Sequence, residues 1–384
     1  MVTRFTQLSR LKISRAKSMK VAIIGGGVAG CATAYYLSKA GHEVTLFERD
    51  SLASHASGFA LGGINPVIPG AREPEYKAFS DYSIGLHRGL AQELADVVGG
   101  DINLIRKPSV KLVRDEAEGN ELRLVYEEHA TEYGYDMRWL GLGELSHIDA
   151  RISSDVIGGL YIGEAFELDP YKLTLSLWQA AESRGAQMIN KEVTEISVTG
   201  NRVTGVVTEG GVFEADAVAA AAGPWSGGLL GSLGIDVPVS PLRGQIIRLD
   251  APSPPMKLSL WWDHDYATTK SDGLTWIGTT EEEVGFDDRT TDEARDRIIT
   301  SAVSILPYLE DAELVQQTAC LRPMTPDKMP IIDGSVGIEG LVVSTGGGRQ
   351  GIALGPAMGI ATAALATGGN SPVDVSAFSL GRFA

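Results

Sequence analysis

The stretch KVAIIGGGVAGCATAYYLSKAGHEVTLFERD, residues 20–50, constrains the chain more than any other. Lys20 to Ile24 is an apolar run of strand length, Gly25-x-Gly27-x-x-Gly30 makes a turn, and Val28 to Lys39 has helical spacing ended by Gly41. A second strand, Glu43 to Phe47, leads into Glu48. Gly25 permits the tight turn, Gly27 admits a pyrophosphate to the backbone, and Gly30 lets helix and strand pack closely. Val28 and Ala29 open the helix, whose N-terminus faces the phosphates. Glu48, about 18 residues beyond Gly30, is placed to accept ribose hydroxyls, while Arg49 leaves room for a 2'-phosphate. Strand, turn, helix, strand and acid in this order predict a dinucleotide site without choosing between FAD and NAD.

The following residues make the choice. An NAD fold would continue at once with further strand–helix units. Instead comes SLASHASGFALGGINPVIPG, a Gly-, Ser- and Ala-rich loop too long for a passive connection. Amphipathic helices are expected from Glu75 to Val98 and from Asn120 to Tyr133. Nucleotide-domain character returns at ELDPYKLTLSLWQAAESRGAQMINKEVTEISV, where Asp169 caps a helix, Pro170 opens it and Gly185 stops it. Three short strands then run from Ala186 to Thr208, and DAVAAAAGPWS is a small-residue strand entering a turn. PLRGQIIRLD, LSLWWDHDYATTK and LTWIGTTEEE alternate like strands of an antiparallel sheet. A helix from Thr291 to Leu306 precedes CLRPMTPDKMPIID, whose apolar part reads as a buried strand, and the chain closes with strand, Gly-rich turn and Ala-rich helix.

The expected architecture is α/β. A discontinuous nucleotide domain of 20–72, 152–225 and 318–370 carries an inserted α+β substrate domain of 73–151 and 226–317, built on an antiparallel sheet. That layout favours FAD. Residues 1–19, basic and without an acid, are expected to form a disordered leader. A formal charge of −16 disfavours nucleic acid, because counterion release needs clustered cations. No apolar run approaches the roughly 18 residues that cross a bilayer, so no membrane span is expected. Cys31 and Cys320, far apart and outside any metal-binding pattern, read as reduced thiols in a cytoplasmic protein without a metal site. An oligomer remains open.

Several segments in order, IIGGGVAG with FER, ASGFALGGINP, ELDPYKL, AAGPWS, PLRGQ, SDGLTWIGTTEEEVGFD, LRPMTPDKMPIID and GGGRQGIALGP, make the chain resemble the D-amino-acid oxidase family of FAD-dependent amine oxidoreductases. The likeness runs from Val21 to about Thr367, with the glycine oxidase and sarcosine oxidase branches nearest. It implies a glutathione-reductase-type, Rossmann-like FAD domain with Gly25, Gly27, Gly30 and Glu48 on the adenosine diphosphate. Ser57 and Gly62 would lie along the flavin-phosphate loop, Val193 would touch adenine through its backbone, and Gly223 would approach the cofactor. Gly346, Gly347, Gly348, Arg349, Gly351 and Ile352 would lie beneath the flavin and ribityl chain.

The resemblance also implies oxidation of a carbon–nitrogen bond, with the α-hydrogen passing as hydride to flavin N5. The expected substrate is a small amino acid such as glycine, sarcosine or a D-amino acid, and the expected acceptor is dioxygen. Arg322, the Arg of LRP, would clamp the substrate carboxylate; the competing reading pairs it with Asp327 or Asp333. Arg349 matches an Arg near substrate, or is a solvated turn residue; Tyr266 sits in the strand expected to face the substrate, or is a core tyrosine; and Trp261 or Trp262 forms an aromatic wall, or both pack the sheet. Gly347 stands where many relatives carry His. Cys320 falls where sarcosine oxidases bond the flavin; as a buried Cys is by default inert, FAD is expected to be non-covalent, with a link through Cys320 or His55 as alternatives. His55, His87 and His264 are scattered and read as surface or core residues. Competing activities are a D-amino-acid dehydrogenase with a quinone acceptor and a flavin oxidase of a modified tRNA wobble uridine. A non-catalytic flavoprotein and an NAD-dependent reductase are disfavoured by the discontinuous layout.

Overall fold

A computed structural model describes residues 18–66, 73–129 and 136–384. Lys20–Ile24 lies inside a six-stranded sheet ordered Ile331–Asp333, Leu341–Thr345, Ala217–Ala220, Lys20–Ile24, Glu43–Glu48, Gln187–Asn190. Neighbours run parallel except the first pair. Parallel strands covered on both faces read as continuous apolar runs, and the two-residue period divides them. Val21 and Ile23 pack with the helices, while Ala22 and Ile24 face Ile196, Val203 and Val206 of an antiparallel three-stranded sheet, Val193–Thr199, Arg202–Thr208 and Gly211–Glu214.

On the helical face, Val28–Lys39 packs against Pro170–Glu182 and Gly351–Ala366. Close approach to the last helix depends on Gly355 and Gly359: a Cβ there would stand 2.6 Å from Val28 Cγ2 and 2.3 Å from Ala32 Cβ. Pro356 interrupts the same helix. Having no N–H, it leaves the Ile352 carbonyl without its intrahelical donor. His87, on the helix Pro74–Val98, supplies one: its Nε2 donates to Ile352 O at 3.2 Å and Ala353 O at 3.1 Å. Burial lowers the His87 pKa to about 4, so the ring is neutral, a core residue as expected.

An eight-stranded sheet runs in the order Glu313–Met324, Ser240–Asp250, Thr275–Gly278, Asp265–Thr269, Ser259–Trp262, Ser109–Val113, Gly158–Ile162, Met137–Gly141. It is antiparallel except where Ser259–Trp262 meets Ser109–Val113. The helix Asp292–Ile305 covers one face, capped by Thr291 Oγ1 accepting from Ala294 N. A further small sheet joins Gly63–Ile64, Phe166–Glu167 and Ile105–Arg106.

Three expectations change. The long Gly-, Ser- and Ala-rich segment holds a short helix, Ala56–Phe59, and the strand Gly63–Ile64; its residues 67–72 lie outside the described residues. The helix expected from Asn120 begins at Glu116, because Asp115 Oδ1 accepts from Ala117 N and Glu118 N; residues 130–133 of its expected end lie outside the described residues. The strand around LRP begins seven residues before Cys320, at Glu313, paired with Ser240–Asp250 along its whole length. Of the expected leader, residues 1–17 also lie outside the described residues.

Candidate active site

The glycine turn and Arg322 border the same cavity, of about 810 Å³. On the turn side, Gly25 has φ of 110° and a Cβ there would stand 2.4 Å from Ala221 O. Gly27 caps the helix with ordinary backbone angles, and a Cβ on it would meet only Ser57 Oγ, at 3.2 Å, leaving the helix end open. Gly30 stays out of the cavity wall. A Cβ there would lie 1.9 Å from Gly25 O, so Gly30 is what lets the helix start pack against the turn. Val28 N donates to Ser57 Oγ at 3.0 Å, which fixes the Ser57 segment against the helix start. Glu48 accepts from Gly26 N at 2.6 Å and from Asp50 N at 2.9 Å, so its carboxylate is held in place by the backbone with lone pairs to spare. Arg49 is engaged by Asp50 and Glu192, both at 3.3 Å, and lies over the Trp225 ring. His55 binds Asp50 at 2.8 Å and packs on Trp225.

Gly62, Val193, Gly223 and the turn Gly346–Ile352 also line the cavity. Gly62 has φ of 82° and faces Leu168 O where a Cβ would collide, at 2.1 Å. Gly223 is held by its carbonyl accepting from Thr345 Oγ1 at 2.8 Å. Gly347 lies against Gly351, 2.9 Å from a would-be Cβ to its Cα, so any side chain there requires this turn to move.

The other wall belongs to the eight-stranded sheet. Register sets Gly244 opposite Cys320 and Gly278 opposite both Ile246 and Tyr266. Two glycines leave troughs in which longer side chains lie flat. A Cβ on Gly244 would stand 1.8 Å from Arg322 Nη2, and one on Gly278 2.6 Å from the Tyr266 hydroxyl oxygen. Arg322 is buried, 9% exposed, and donates from Nη1 to Thr280 O at 3.1 Å and from Nη2 to Thr279 Oγ1 at 2.5 Å. Thr279 is fixed in turn, its N–H donating to Asp265 Oδ1 at 2.8 Å, with Arg297 paired to that carboxylate at 2.9 Å.

Arg322 has no ion-pair partner among the described residues. Asp327 pairs with Arg382 at 2.7 Å, and Asp333 accepts from Ser335 N and Leu380 N, so neither turn aspartate neutralises it. Burial, with the nearby Arg349 charge added, lowers the Arg322 pKa: the site is short of an anion. The Tyr266 hydroxyl has no hydrogen-bond partner among the described residues, and burial pushes its pKa well up, keeping it a donor. Cys320 is likewise buried with a raised pKa, so it is a protonated thiol in the cavity wall. Trp261 lines the cavity 5.1 Å from the Tyr266 ring, whereas Trp262 is buried on the opposite face and donates to Ser301. Arg349 donates to Glu281 Oε1 at 2.5 Å and to His264 O at 3.0 Å; His264 contributes its carbonyl.

The family model of FAD dependent oxidoreductases, DAO, matches residues 20–365. The chain belongs to this family. It is 31% identical over 369 residues to a glycine oxidase of Geobacillus kaustophilus, covering 94% of this chain and 96% of that protein. The crystal structure of glycine oxidase from Geobacillus kaustophilus superposes with a TM-score of 0.90 at 30% identity, over 94% of this chain and 99% of that one. A D-amino acid dehydrogenase of Bradyrhizobium diazoefficiens is 27% identical over 425 residues, covering 95% and 99%. The DAO-family chain is therefore an FAD-dependent amine or amino-acid oxidoreductase.

Its residues fit that cofactor. The open helix end at Gly27 suits a pyrophosphate, and three buried polar atoms in the cavity wall, Ser54 Oγ, Trp261 Nε1 and Ser344 Oγ, have no hydrogen-bond partner among the described residues. Among the described residues there is no cluster suited to a metal ion and no helix long and apolar enough to cross a membrane. Gly244, Thr279 and Glu281 were not anticipated. Gly244 and Glu281 lie inside segments that carry the family likeness, PLRGQ and TTEEE, but their roles appear only once sheet register and side-chain contacts are known.

Proposed function

We propose that this enzyme oxidises the carbon–nitrogen bond of a small α-amino acid, such as glycine, sarcosine or a D-amino acid, with the carboxylate clamped by Arg322. The observation that carries the reading is a buried guanidinium, without an ion-pair partner among the described residues, in the cavity that the dinucleotide turn also borders. A guanidinium presents parallel donors that match a carboxylate, and pairing would relieve its buried charge. Tyr266 adds a hydroxyl donor for the same carboxylate. Bound FAD, held by the turn, Glu48 and the Gly346–Ile352 segment, supplies the acceptor for the hydride that leaves the α-carbon. The uncompensated Arg322 charge disfavours an ammonium, so the substrate reacts as a neutral amine whose lone pair forms the C=N bond. No side-chain base is needed, in keeping with the protonated Tyr266 and Cys320. Water then hydrolyses the imine to an oxo acid. Dioxygen is the proposed terminal acceptor, yielding hydrogen peroxide, as the name of the glycine oxidase relatives supports; likeness to a D-amino acid dehydrogenase supports a quinone acceptor as second reading.

The test is an amine screen with peroxide detection alongside quinone reduction, run on wild type and Arg322 variants. Arg322→Ala is expected to lose about 3 kcal/mol or more in kcat/KM for amino acids and little for an amine without a carboxylate. Arg322→Lys, a point charge without the fork, falls between them. Equal losses on both substrate types would overturn the clamp. Quinone reduction without peroxide would favour the dehydrogenase.

A further inference from the structure

Beside Arg322 the cavity wall carries a second guanidinium, and unlike the first it is neutralised. Arg349, on the turn Gly348–Gln350, lines the cavity and pairs with Glu281 at 2.5 Å. The pair is about one-third exposed, 29% on the Arg349 side chain and 33% on Glu281. Burial pushes the Glu281 carboxyl up, but the hydrogen bond and charge of Arg349 outweigh it and hold the group below the usual carboxylate range, so it is ionised. Glu281 directly follows Thr280, whose carbonyl accepts from Arg322, so backbone and side chain of one short segment serve both arginines. Two guanidinium charges and one carboxylate leave a single net positive charge for the substrate.

We propose that Glu281 is a specificity-determining residue that restricts the enzyme to amino acids with a single carboxylate. It does so in two ways. It occupies Nη1 of Arg349, a donor that a second substrate carboxylate would need, and its negative charge, held against the cavity-lining Arg349, would repel that group. Selectivity of this kind rests on an unfavourable contact with the wrong ligand as much as on contacts with the right one. Removing the Glu281 charge would leave two cations in the wall, a match for a dianion. This inference rests on the carboxylate-clamp reading above.

The experiment uses the holoenzyme and two readouts. Acetate and malonate, a mono- and a dicarboxylate, are titrated by perturbation of the flavin absorption spectrum. Sarcosine and iminodiacetate, which differ by one carboxylate, are compared by kcat/KM. Wild type is expected to prefer acetate to malonate and sarcosine to iminodiacetate. Glu281→Gln, close in shape, should shift both preferences at least tenfold toward the dicarboxylate, and adding Arg349→Met should abolish the shift. Unchanged ratios in Glu281→Gln, with both anions binding, would overturn the inference while leaving the clamp intact. So would a wild-type enzyme that handles iminodiacetate as well as sarcosine, or one that prefers 2,3-diaminopropionate to alanine more than tenfold, which would make Glu281 a receptor for substrate cations. Failure of the clamp reads differently: acetate binding would survive Arg322→Ala undiminished.

Discussion

Gly25 and Gly30 at the glycine turn, and Gly244 and Gly278 against Arg322 and Tyr266, are all places where a methyl group has no room, but the atoms in the way differ. At the glycine turn the obstacle is backbone, Ala221 O at 2.4 Å and Gly25 O at 1.9 Å. At the arginine wall it is the far end of a side chain, Arg322 Nη2 at 1.8 Å and the Tyr266 hydroxyl at 2.6 Å. Backbone hydrogen-bonded into a sheet cannot yield, whereas a side chain can move, at the cost of the hydrogen bonds and packing that hold it. The nucleotide wall is thus rigid because main chain meets main chain, and the arginine wall is tunable because its glycines make room for functional groups.

The largest expected effect follows from the rigid wall. Gly30→Ala should cost about 3 kcal/mol or more and yield protein with little flavin, seen as a lowered Tm and weak absorbance. A normal melt and full colour would break the contrast. Gly244→Ala should instead fold, keep its flavin and displace the Arg322 guanidinium, with a loss of about 2 kcal/mol in kcat/KM for amino acids only. A destabilised, colourless Gly244→Ala would place both walls in one class. Glu48→Gln keeps the shape of a backbone-anchored carboxylate and removes its charge; FAD affinity should fall by about 1 kcal/mol, measured by flavin titration of the apoprotein. Cys320→Ser is expected to change least. Acid precipitation should release colour to the supernatant from wild type and variant alike, and colour retained in the wild-type pellet would show a covalent link.

The same contrast explains what could be read from the sequence. The turn wall is contiguous: strand, glycines, helix and Glu48 fall within one stretch, each with a local signature, and Val28–Lys39 forms as its spacing predicts. The arginine wall is assembled from Gly244, Tyr266, Gly278, Thr279, Arg322 and Arg349, distant segments whose adjacency depends on register. Family likeness pointed to Arg322 and Tyr266, yet nothing local in PLRGQ shows that Gly244 lies under a guanidinium. The strands Ser109–Val113, Met137–Gly141 and Gly158–Ile162 carry little signal of their own. They are short, and one opens with two glycines, disfavoured in strands, because Trp139 and Val110 need the space, 2.7 Å from a would-be Cβ in each case. In the Asp115 cap, the helix start was fixed by a residue that lies ahead of the apolar pattern.

Pro356 has a bearing on how this chain can vary. Because the Ile352 carbonyl relies on a histidine from another helix, positions 87 and 356 are not independent as sites of change. Losing His87 alone strands a buried acceptor, whereas with Pro356→Ala already in place the restored N–H serves that carbonyl from within its own helix. The two substitutions should therefore be non-additive, the second softening the first. A lineage leaving this arrangement would find one order of steps passable and the other obstructed.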